Sequence, residues 1–195
     1  MSDPVFNILI VCTGNICRSP IAEQLLRERL HQAAPGGHFR VRSAGTQALV
    51  DRGMTPEARE QSQRYGVAQN NHLARQLTSE LIAEADLVLT ATRQHRGDVV
   101  SLLPRANRYA YTLNQLARLL ASATEARQAP RVTPQAFLTE IAASQGQFPP
   151  PQNPSDDDIE DPYRQSHEVY DRVGAAIDSA TNAIAAALAR TSSQA

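Results

Sequence analysis

A cysteine and an arginine stand six residues apart in the stretch VCTGNICRSP (11–20), which follows the first apolar run of the chain. A cysteine thiolate is a nucleophile, and an arginine guanidinium binds two phosphate oxygens at once. Gly14 and Asn15 permit a tight curl between them, and a helix beginning just after Arg18 would direct backbone N–H groups and its positive dipole end at the same point. The stretch therefore predicts an anion site with Cys12 at its floor.

The chemistry that such a site suits is transfer of a phosphoryl group to sulfur. The local positive field favours the thiolate of Cys12, and Arg18 together with the loop amides would stabilise the charge of the transition state. Water would then hydrolyse the phosphocysteine, and no metal or other cofactor is required. A cysteine at the end of an apolar strand is more often inert packing, so the spacing alone does not decide the role of Cys12.

The same reaction needs a proton for the departing oxygen, and IEDPY (159–163) contains a candidate donor. Pro162 restricts Asp161 to an extended backbone and fixes the turn, so the carboxyl group would stand on a rigid loop. Asp161 would protonate the leaving group and later, as a carboxylate, take a proton from the attacking water. An isolated Asp-Pro pair is ordinary turn chemistry, and only the cysteine loop makes the catalytic interpretation the better one.

Four apolar segments predict the strands that position these residues. VFNILIVC (5–12) is almost continuously apolar, which is typical of a strand buried on both faces of a parallel sheet. FRVRSAG (39–45), ADLVLTAT (85–92) and the weaker NRYAYTL (107–113) are the other candidates. Their alternation with helical segments predicts a three-layer α/β sandwich, in which a four-stranded parallel sheet is flanked by helices and the phosphate-binding loop follows the first strand.

Helical periodicity and capping residues predict the outer layers. The first helix is expected to have Ser19 as N-cap and Pro20 as its first residue, and to stop at Pro35. Thr55 is expected to cap a second helix that ends at Gly66. Further helices are predicted around 79–84, around 93–103, over 113–127, over 133–146 and over 165–190.

The chain is expected to form one domain, 1–195, that carries an insert at about 113–157. Its 195 residues with 42% apolar side chains suffice for one sizeable core. Within the insert, two helices, the second capped by Thr133, precede FPPPQNPSDDD (148–158), which has the composition of a loop. The three aspartates that end this segment suit either a cation site or a solvated surface, and the surface is favoured.

Charge and cysteine content narrow the function classes. The net charge is −1, and all 19 basic side chains are arginines spread without a basic block, which argues against nucleic-acid and membrane-surface partners. No segment approaches the roughly 20 apolar residues of a membrane span, and the N-terminal residues lack a cationic leader. Cys12 and Cys17 are too few and too close for a secreted disulfide framework, and a reactive thiol suits a reducing compartment, so a cytoplasmic location is expected.

With these residues established, the chain resembles the low-molecular-weight protein tyrosine phosphatases. CTGNICRSP (12–20) resembles the phosphate-binding loop of that family, and IEDPY (159–163) resembles its general-acid loop. SAGT (43–46) and HLARQLT (72–78) resemble family segments at the expected positions. The resemblance implies that Cys12 is the nucleophile, Arg18 the phosphate clamp and Asp161 the general acid and base.

The resemblance also assigns supporting and substrate-binding roles. Asn15, Ser19 and His72 would hold the loop and favour the thiolate, although His72 by itself would be taken for an exposed loop histidine. Tyr163 would line the wall where a phenol ring enters, and Leu49 the opposite wall. The substrate-binding set implied in this way is Thr13, Gly14, Asn15, Ile16, Cys17, Leu49 and Tyr163.

Two features depart from the family pattern or have two interpretations. The insert is longer than the family usually carries, and ATRQH (91–95) differs from the Met-Asp pair that some members have after the third strand. Cys17 matches a second loop cysteine that bonds reversibly to the nucleophile and shields it from overoxidation, but simple loop packing explains it equally well.

The expected function is hydrolysis of phosphotyrosine, and the expected partner is a tyrosine-phosphorylated protein, with a bacterial tyrosine kinase as one candidate. Phosphoarginine hydrolysis is the main alternative, because related enzymes use the same loop with a threonine where this chain has Ile16. An apolar β-branched side chain there favours an aromatic phosphoester. Thioredoxin-linked arsenate reduction needs further cysteines after the loop, and a redox-sensing or phosphotyrosine-binding module without catalysis would have no use for Asp161.

Overall fold

Four parallel strands form one sheet at the centre of the computed structural model, which describes residues 5–68, 71–126, 133–144, 147 and 150–191. The strand order is β2-β1-β3-β4. The strands are β1 (Phe6–Cys12), β2 (Phe39–Gly45), β3 (Leu87–Thr90) and β4 (Ala110–Thr112). Cys12 pairs with Gly45 in register and Val11 with Thr90, so the residues that follow these strands meet at one edge of the sheet.

Helices cover both faces of the sheet, which confirms the predicted three-layer sandwich. The helices are α1 (Arg18–Ala33), α2 (Pro56–Arg64), α3 (Ser79–Ala83), α4 (Arg93–Leu102), α5 (Leu113–Ala126), α6 (Pro134–Ser144) and α7 (His167–Ala189). Short 3₁₀ helices at Pro104–Arg108 and Pro154–Asp157 lie in the connections. None of the helices in the described part of the chain has the length and apolarity that a bilayer span requires.

Strand β1 is apolar almost throughout because it contributes to two cores. Ile8 and Ile10 belong to the larger core, on the face covered by α1, α2 and α7. Leu9 and Val11 belong to the smaller core, on the face covered by α3 and α4. Alternate side chains of a strand point to opposite faces, so both sets must be apolar.

The first helix begins earlier than the sequence predicts. Helix α1 starts at Arg18 with Cys17 as its N-cap, whereas Ser19 and Pro20 were the predicted cap and first residue. The hydroxyl of Ser19 does not cap the helix because it is engaged with Cys12 and Asn15. A proline at the third helical position is tolerated, since the first turn has no intrahelical partners for its N–H groups.

The remaining predictions for the elements agree apart from their ends. Thr55 caps α2 by accepting the N–H of Ala58, as predicted. Strands β3 and β4 are shorter than predicted. The ends of β4 are set by the 3₁₀ helix over Pro104–Arg108 and by the start of α5 at Leu113. Thr133 accepts the N–H of Ala136 at the start of α6, whereas the predicted stop at Gly146 lies outside the described residues.

The insert helices pack onto the larger core. Leu116 and Leu119 of α5 and Leu138 and Ile141 of α6 are buried in it. These side chains bury apolar area that the rest of the domain would otherwise expose. Both predicted insert helices are therefore present, and they extend the same core; the single-domain boundary at 1–195 stays a prediction.

Candidate active site

The phosphate-binding loop, residues 12–18, holds all its carbonyl groups outward. Each carbonyl oxygen from Cys12 to Ile16 accepts a hydrogen bond from a donor outside the loop. The donors are, in order, the backbone N–H groups of Thr46, Gln47 and Leu49, His72 Nε2 and the backbone N–H of Thr55, at 2.7–3.1 Å. The C=O and N–H of one peptide unit point in opposite directions, so the N–H groups of residues 13–17 face the loop centre. Among the described residues, none accepts a hydrogen bond from these five N–H groups.

Arg18 adds the only side-chain cation among these loop residues, and its side chain is 4% exposed. Its Nη1 donates to the carbonyl of Ile159 at 3.1 Å, and its Nη2 donates to Thr13 Oγ1 at 3.4 Å and to Asp161 Oδ2 at 2.5 Å. Its Nε is buried and has no hydrogen-bond partner in the described part of the chain. A guanidinium edge and several convergent N–H groups form a donor set that suits a tetrahedral oxyanion.

Cys12 lies at the base of this donor set and is 2% exposed. Its Sγ is 3.0 Å from Ser19 Oγ, which also accepts a hydrogen bond from Asn15 Nδ2 at 2.8 Å. Because the amide of Asn15 can only donate through nitrogen, the hydroxyl proton of Ser19 is left for the sulfur. The Ser19 hydroxyl is therefore a hydrogen-bond donor placed beside the Cys12 sulfur.

Asn15 ties the loop to the body of the domain. Its φ of 56° lies in the left-handed region, which asparagine tolerates better than most residues. Its Nδ2 also donates to Ser43 Oγ at 2.8 Å, and its Oδ1 accepts the N–H of Arg75 at 2.9 Å. Ser43 in turn donates to the buried carboxylate of Glu23, which pairs with Arg27. The support therefore runs from the loop through Asn15 into α1 and β2.

His72 and Gly45 complete the support. The side chain of His72 is 5% exposed, and its Nε2 lies 2.7 Å from the carbonyl oxygen of Asn15. A carbonyl only accepts, so Nε2 carries the proton. A Cβ on Gly45 would collide with the carbonyl oxygen of Thr13, so only glycine lets β2 approach the loop so closely. The structure thus brings all three predicted supporting residues, Asn15, Ser19 and His72, to the loop.

Apolar side chains border the loop on the solvent side. Leu49 and Tyr163 are 43% and 40% exposed, and the guanidinium of Arg164 lies 5.1 Å from the Tyr163 ring centre. Ile16 is mostly buried; its Cγ1 and the Cγ of Leu49 flank Gly14, at 3.4 and 4.0 Å from where a Cβ on Gly14 would lie. These residues form walls of the kind expected for an aromatic substrate.

The side chain of Cys17 packs against Thr55 and α7. Its side chain is buried, and its Sγ lies 3.5 Å from the hydroxyl of Tyr170 and 3.7 Å from Thr55 Oγ1. Burial raises the pKa of the Cys17 thiol, so the thiolate is disfavoured. Both Cys12 and Cys17 are free. Only the backbone N–H of Cys17 faces the site, and its side chain supports the packing interpretation.

Residues 156–163, here called the acid arm, bring Asp161 to the loop. The side chain of Asp161 is 50% exposed, and its Oδ2 pairs with Arg18. Its Oδ1 accepts the N–H of Tyr163 at 3.1 Å, which fixes the turn after Pro162. The backbone of Ile159 accepts from Arg18 and donates to the carbonyl of Ala91 at 2.8 Å. Asp161 thus stands at the solvent side of the oxyanion donors.

The solvated surface predicted for the aspartate run is wrong for two of its three members. Asp157 is buried and pairs with Arg118 of α5 at 3.1 Å. Asp158 pairs with Arg93 of α4 at 2.9 Å and accepts its backbone N–H. The partners come from two helices far away in sequence, so no local pattern revealed them. Among the described residues, no cluster of histidine, cysteine and carboxylate side chains fits a metal ion.

His95 is a site residue that the sequence analysis missed. Its Nε2 lies 2.9 Å from Thr13 Oγ1, and its Nδ1 lies 2.8 Å from Thr92 Oγ1. Burial and the neighbouring charge of Arg18 lower the pKa of His95 to about 4, so the ring is neutral near pH 7. The signal was the position of ATRQH directly after β3, since the carboxyl ends of parallel strands share one edge of a sheet.

Comparison with known proteins assigns the family. Residues 7–130 match the low molecular weight phosphotyrosine protein phosphatase family. The chain belongs to this family. The low molecular weight protein-tyrosine-phosphatase Etp of Escherichia coli K12 is 42% identical over 105 residues, which are 53% of this chain and 67% of Etp.

Solved structures of phosphatases share the fold over nearly the whole chain. The tyrosine phosphatase Wzb from Escherichia coli K30, in complex with sulphate, is 26% identical with a TM-score of 0.67, covering 95% of this chain and 99% of Wzb. The YwlE arginine phosphatase, as a cysteine-to-serine mutant with a phosphorylated active site serine, is 27% identical with a TM-score of 0.68, covering 94% of this chain and 95% of YwlE.

The matches differ in how much of the site they include. The family match contains Cys12 and Arg18 but ends before Asp161. The chain spans about two thirds of the length of the curated relatives it matches. The role of the acid arm therefore depends on its geometry in this structure.

Proposed function

We propose that this protein is a protein tyrosine phosphatase that works through a phosphocysteine intermediate, with Cys12 as nucleophile, Arg18 as phosphate clamp and Asp161 as general acid and base. The observation that carries the proposal is the loop itself. Within the described part of the chain, five backbone N–H groups and the buried Nε of Arg18 have no hydrogen-bond partner. They surround a cysteine sulfur that accepts a hydroxyl hydrogen bond. Such a donor set stabilises the equatorial oxygens of a phosphoryl group in the transition state of its transfer.

In the first step, the Cys12 thiolate attacks phosphorus and the bond from phosphorus to the tyrosine oxygen breaks. The leaving phenolate takes a proton from Asp161, which must enter this step protonated. In the structure Asp161 contacts Arg18 Nη2, where a substrate phosphate would bind. A phosphate dianion would therefore displace the carboxyl group from the guanidinium and leave it beside the bridging oxygen.

In the second step, a water molecule attacks the phosphocysteine on the face that the tyrosine has left. The Asp161 carboxylate takes one proton from that water, the bond between sulfur and phosphorus breaks, and the Cys12 thiolate is restored. The hydroxyl of Ser19 stabilises sulfur as a leaving group through the contact of 3.0 Å. The products are inorganic phosphate and an enzyme ready for another turnover.

Phosphotyrosine is the substrate class that the walls of the site favour. Leu49 and Tyr163 offer exposed apolar surface to an aromatic ring, and Ile16 adds no hydroxyl to the pocket. Likeness to the tyrosine phosphatases Etp and Wzb supports the same choice. The partner would be a tyrosine-phosphorylated protein, with a bacterial tyrosine kinase as a candidate, and a cytoplasmic location is proposed with it.

Phosphoarginine is the second candidate, because the chain is also similar to the YwlE arginine phosphatase. A guanidinium leaving group is planar and polar. Asp161 would accept its hydrogen bonds, but the exposed apolar surface of Leu49 and Tyr163 suits an aromatic ring better. The alternative of a binding or redox-sensing module without catalysis predicts phosphotyrosine binding without turnover.

The test is steady-state hydrolysis of phosphotyrosine, phosphoserine and phosphoarginine peptides in the presence of a chelator. Turnover of phosphotyrosine that is abolished in Cys12→Ser, while that variant still binds inorganic phosphate, is the expected result. Retained phosphate binding shows that the loop of the variant is folded. Preferential turnover of phosphoarginine would overturn the substrate class, and substantial activity in Cys12→Ser would remove Cys12 as nucleophile.

A further inference from the structure

A buried chain of hydrogen bonds connects α4 to the phosphate clamp. Thr92 Oγ1 lies 2.8 Å from His95 Nδ1, and His95 Nε2 lies 2.9 Å from Thr13 Oγ1. Thr13 Oγ1 in turn lies 3.4 Å from Arg18 Nη2. His95 is 6% exposed. No other side chain from α4 contacts the loop through a hydrogen bond among the described residues.

The imidazole of His95 orients the Thr13 hydroxyl in either of its two neutral tautomers. If His95 Nε2 carries the ring proton, Thr13 Oγ1 accepts from His95 and Arg18, and its own proton is free for an oxyanion. If Nδ1 carries the proton, the Thr13 hydroxyl donates to Nε2 and keeps its lone pairs for Arg18. The threonine hydroxyl is oriented toward Arg18 in both tautomers.

Capping of α4 explains only one of the two side-chain hydrogen bonds of His95. Thr92 caps α4 by accepting the N–H of His95, and the contact at Nδ1 belongs to that cap. The contact at Nε2 does not, because it reaches across 82 positions of sequence to the residue that follows the nucleophile. Packing alone would be met by an apolar residue, which costs no desolvation of a ring with two polar atoms.

We propose that His95 is a positioning residue for the phosphate clamp: it holds the Thr13 hydroxyl against Arg18 Nη2, so that the guanidinium keeps one orientation before phosphate binds. The guanidinium then has fixed partners at Nη1 in Ile159 and at Nη2 in Thr13, while its buried Nε has no partner among the described residues. The role in turnover rests on the proposed phosphatase function, but the role in anion binding does not.

The test is a double-mutant cycle on binding of inorganic phosphate, measured by calorimetry, with His95→Leu, Thr13→Val and the double variant. Each single change is expected to weaken binding about five- to tenfold, which corresponds to the net worth of one hydrogen bond near 1 kcal/mol. The double variant is expected to be no weaker than either single variant, because both break the same chain. Independent, multiplying losses would overturn the proposal, as would unchanged binding in His95→Leu.

Conservative variants separate positioning from a loss of folding. His95→Gln keeps a polar group near the place of Nε2 and is expected to restore most of the binding lost in His95→Leu. Thr13→Ser keeps the hydroxyl and is expected to do the same for Thr13→Val. His167 has a side chain that is 76% exposed on α7, and His167→Gln is the matched control that leaves binding unchanged. Failure of both conservative variants to recover binding would contradict the positioning role.

Turnover of a phosphotyrosine peptide gives a second readout. In His95→Leu, KM is expected to rise more than kcat falls, because the change weakens binding of the substrate phosphate in the ground state. If the mutant cycle on phosphate binding shows the expected coupling but the wild-type protein does not turn over phosphotyrosine, the proposed function fails while the role of His95 stands. If turnover is present and the two changes act independently, the role of His95 fails alone.

Discussion

The phosphate-binding loop and the acid arm face each other across Arg18, yet they are held in place by different kinds of contact. The loop is anchored by buried hydrogen bonds from Asn15 and by carbonyl groups that all have partners. The arm has two backbone hydrogen bonds at buried Ile159, but its other anchors are ion pairs, several of them near the surface. Its Asp161 is 50% exposed against 4% for Arg18. Buried hydrogen bonds keep their strength in salt, whereas exposed ion pairs are screened.

This difference shows which half of the site is built before substrate arrives. The loop must present its donors rigidly, because electrostatic stabilisation depends on dipoles that need no rearrangement. In the proposed mechanism the carboxyl group of Asp161 leaves Arg18 when phosphate binds, and a contact at 50% exposure lets it do so. A change in the loop should therefore cost stability and binding, and a change in the arm should cost mainly turnover.

The largest expected effect is that of Asp161→Asn. The amide keeps the acceptor for the N–H of Tyr163 but carries no transferable proton, so hydrolysis of a phosphotyrosine peptide should slow by ~10²–10⁴. Aryl phosphates with good leaving groups should lose much less, and kcat for both classes is the measurement. Glu160→Gln alters the neighbouring carboxylate, which pairs with Arg172, and serves as the matched control with little change. An equal loss for both classes of substrate would remove Asp161 as the general acid.

Asn15→Ala should cost stability as well as function. It removes three hydrogen bonds, two of them buried, and puts alanine, which tolerates the left-handed region less well than asparagine, at a φ of 56°. The free energy of unfolding should therefore fall by roughly 3 kcal/mol. Urea unfolding measures this loss. Asn15→Gly removes the same side chain without the backbone strain and should be more stable than the alanine variant by ~1 kcal/mol. Equal stability of the two variants would show that the left-handed backbone carries no cost.

Asp158→Asn should have a smaller effect, confined to turnover. The pair with Arg93 lies near the surface and such pairs contribute about 0–1 kcal/mol, so kcat should fall less than about tenfold while phosphate binding is unchanged. Arg93→Gln should give the same loss, and the double variant no more, because both changes break one contact. A marked loss of phosphate binding in Asp158→Asn would contradict the separation of loop and arm.

The last prediction concerns the pH dependence of stability. Since burial and Arg18 lower the pKa of His95 to about 4 from a usual 6.5, the unfolded chain binds a proton in this interval that the folded chain does not. Stability should therefore decrease as the pH falls from 6.5 toward about 4. Thermal unfolding across that interval should show a shallower decrease for His95→Gln than for the wild-type protein. Parallel curves would show that His95 is protonated equally in both states.

The elements of the site that sequence reasoning recovered are those set by local chemistry. The segment 12–18 combines a strand end, residues that tolerate a tight curl and a helix start, and each of these is visible within ten residues. The parallel sheet follows from apolar runs alternating with helical ones. The start of α1 was misplaced because Ser19, a good N-cap by type, is used by the loop instead.

Other parts were decided by contacts between distant segments. His72 was placed at the loop only by resemblance, His95 was not recognised, and Asp157 and Asp158 were assigned to a solvated surface. Each of these side chains acquires its partner from another element: Asn15, Thr13, Arg118 and Arg93, respectively. A histidine or an aspartate carries no local mark of such a partner, since its burial is set by what packs over it.

The sequence by itself thus determined the chemical groups at the base of the site and the strand, turn and helix that carry them, because backbone preferences and apolar periodicity act over a few residues. Only the tertiary structure decided how the loop is held, where Asp161 stands relative to Arg18 and which histidine contacts Thr13. Those features arise where the carboxyl ends of β1 and β3 meet helices from later in the chain, and a position in space is a property of the whole fold.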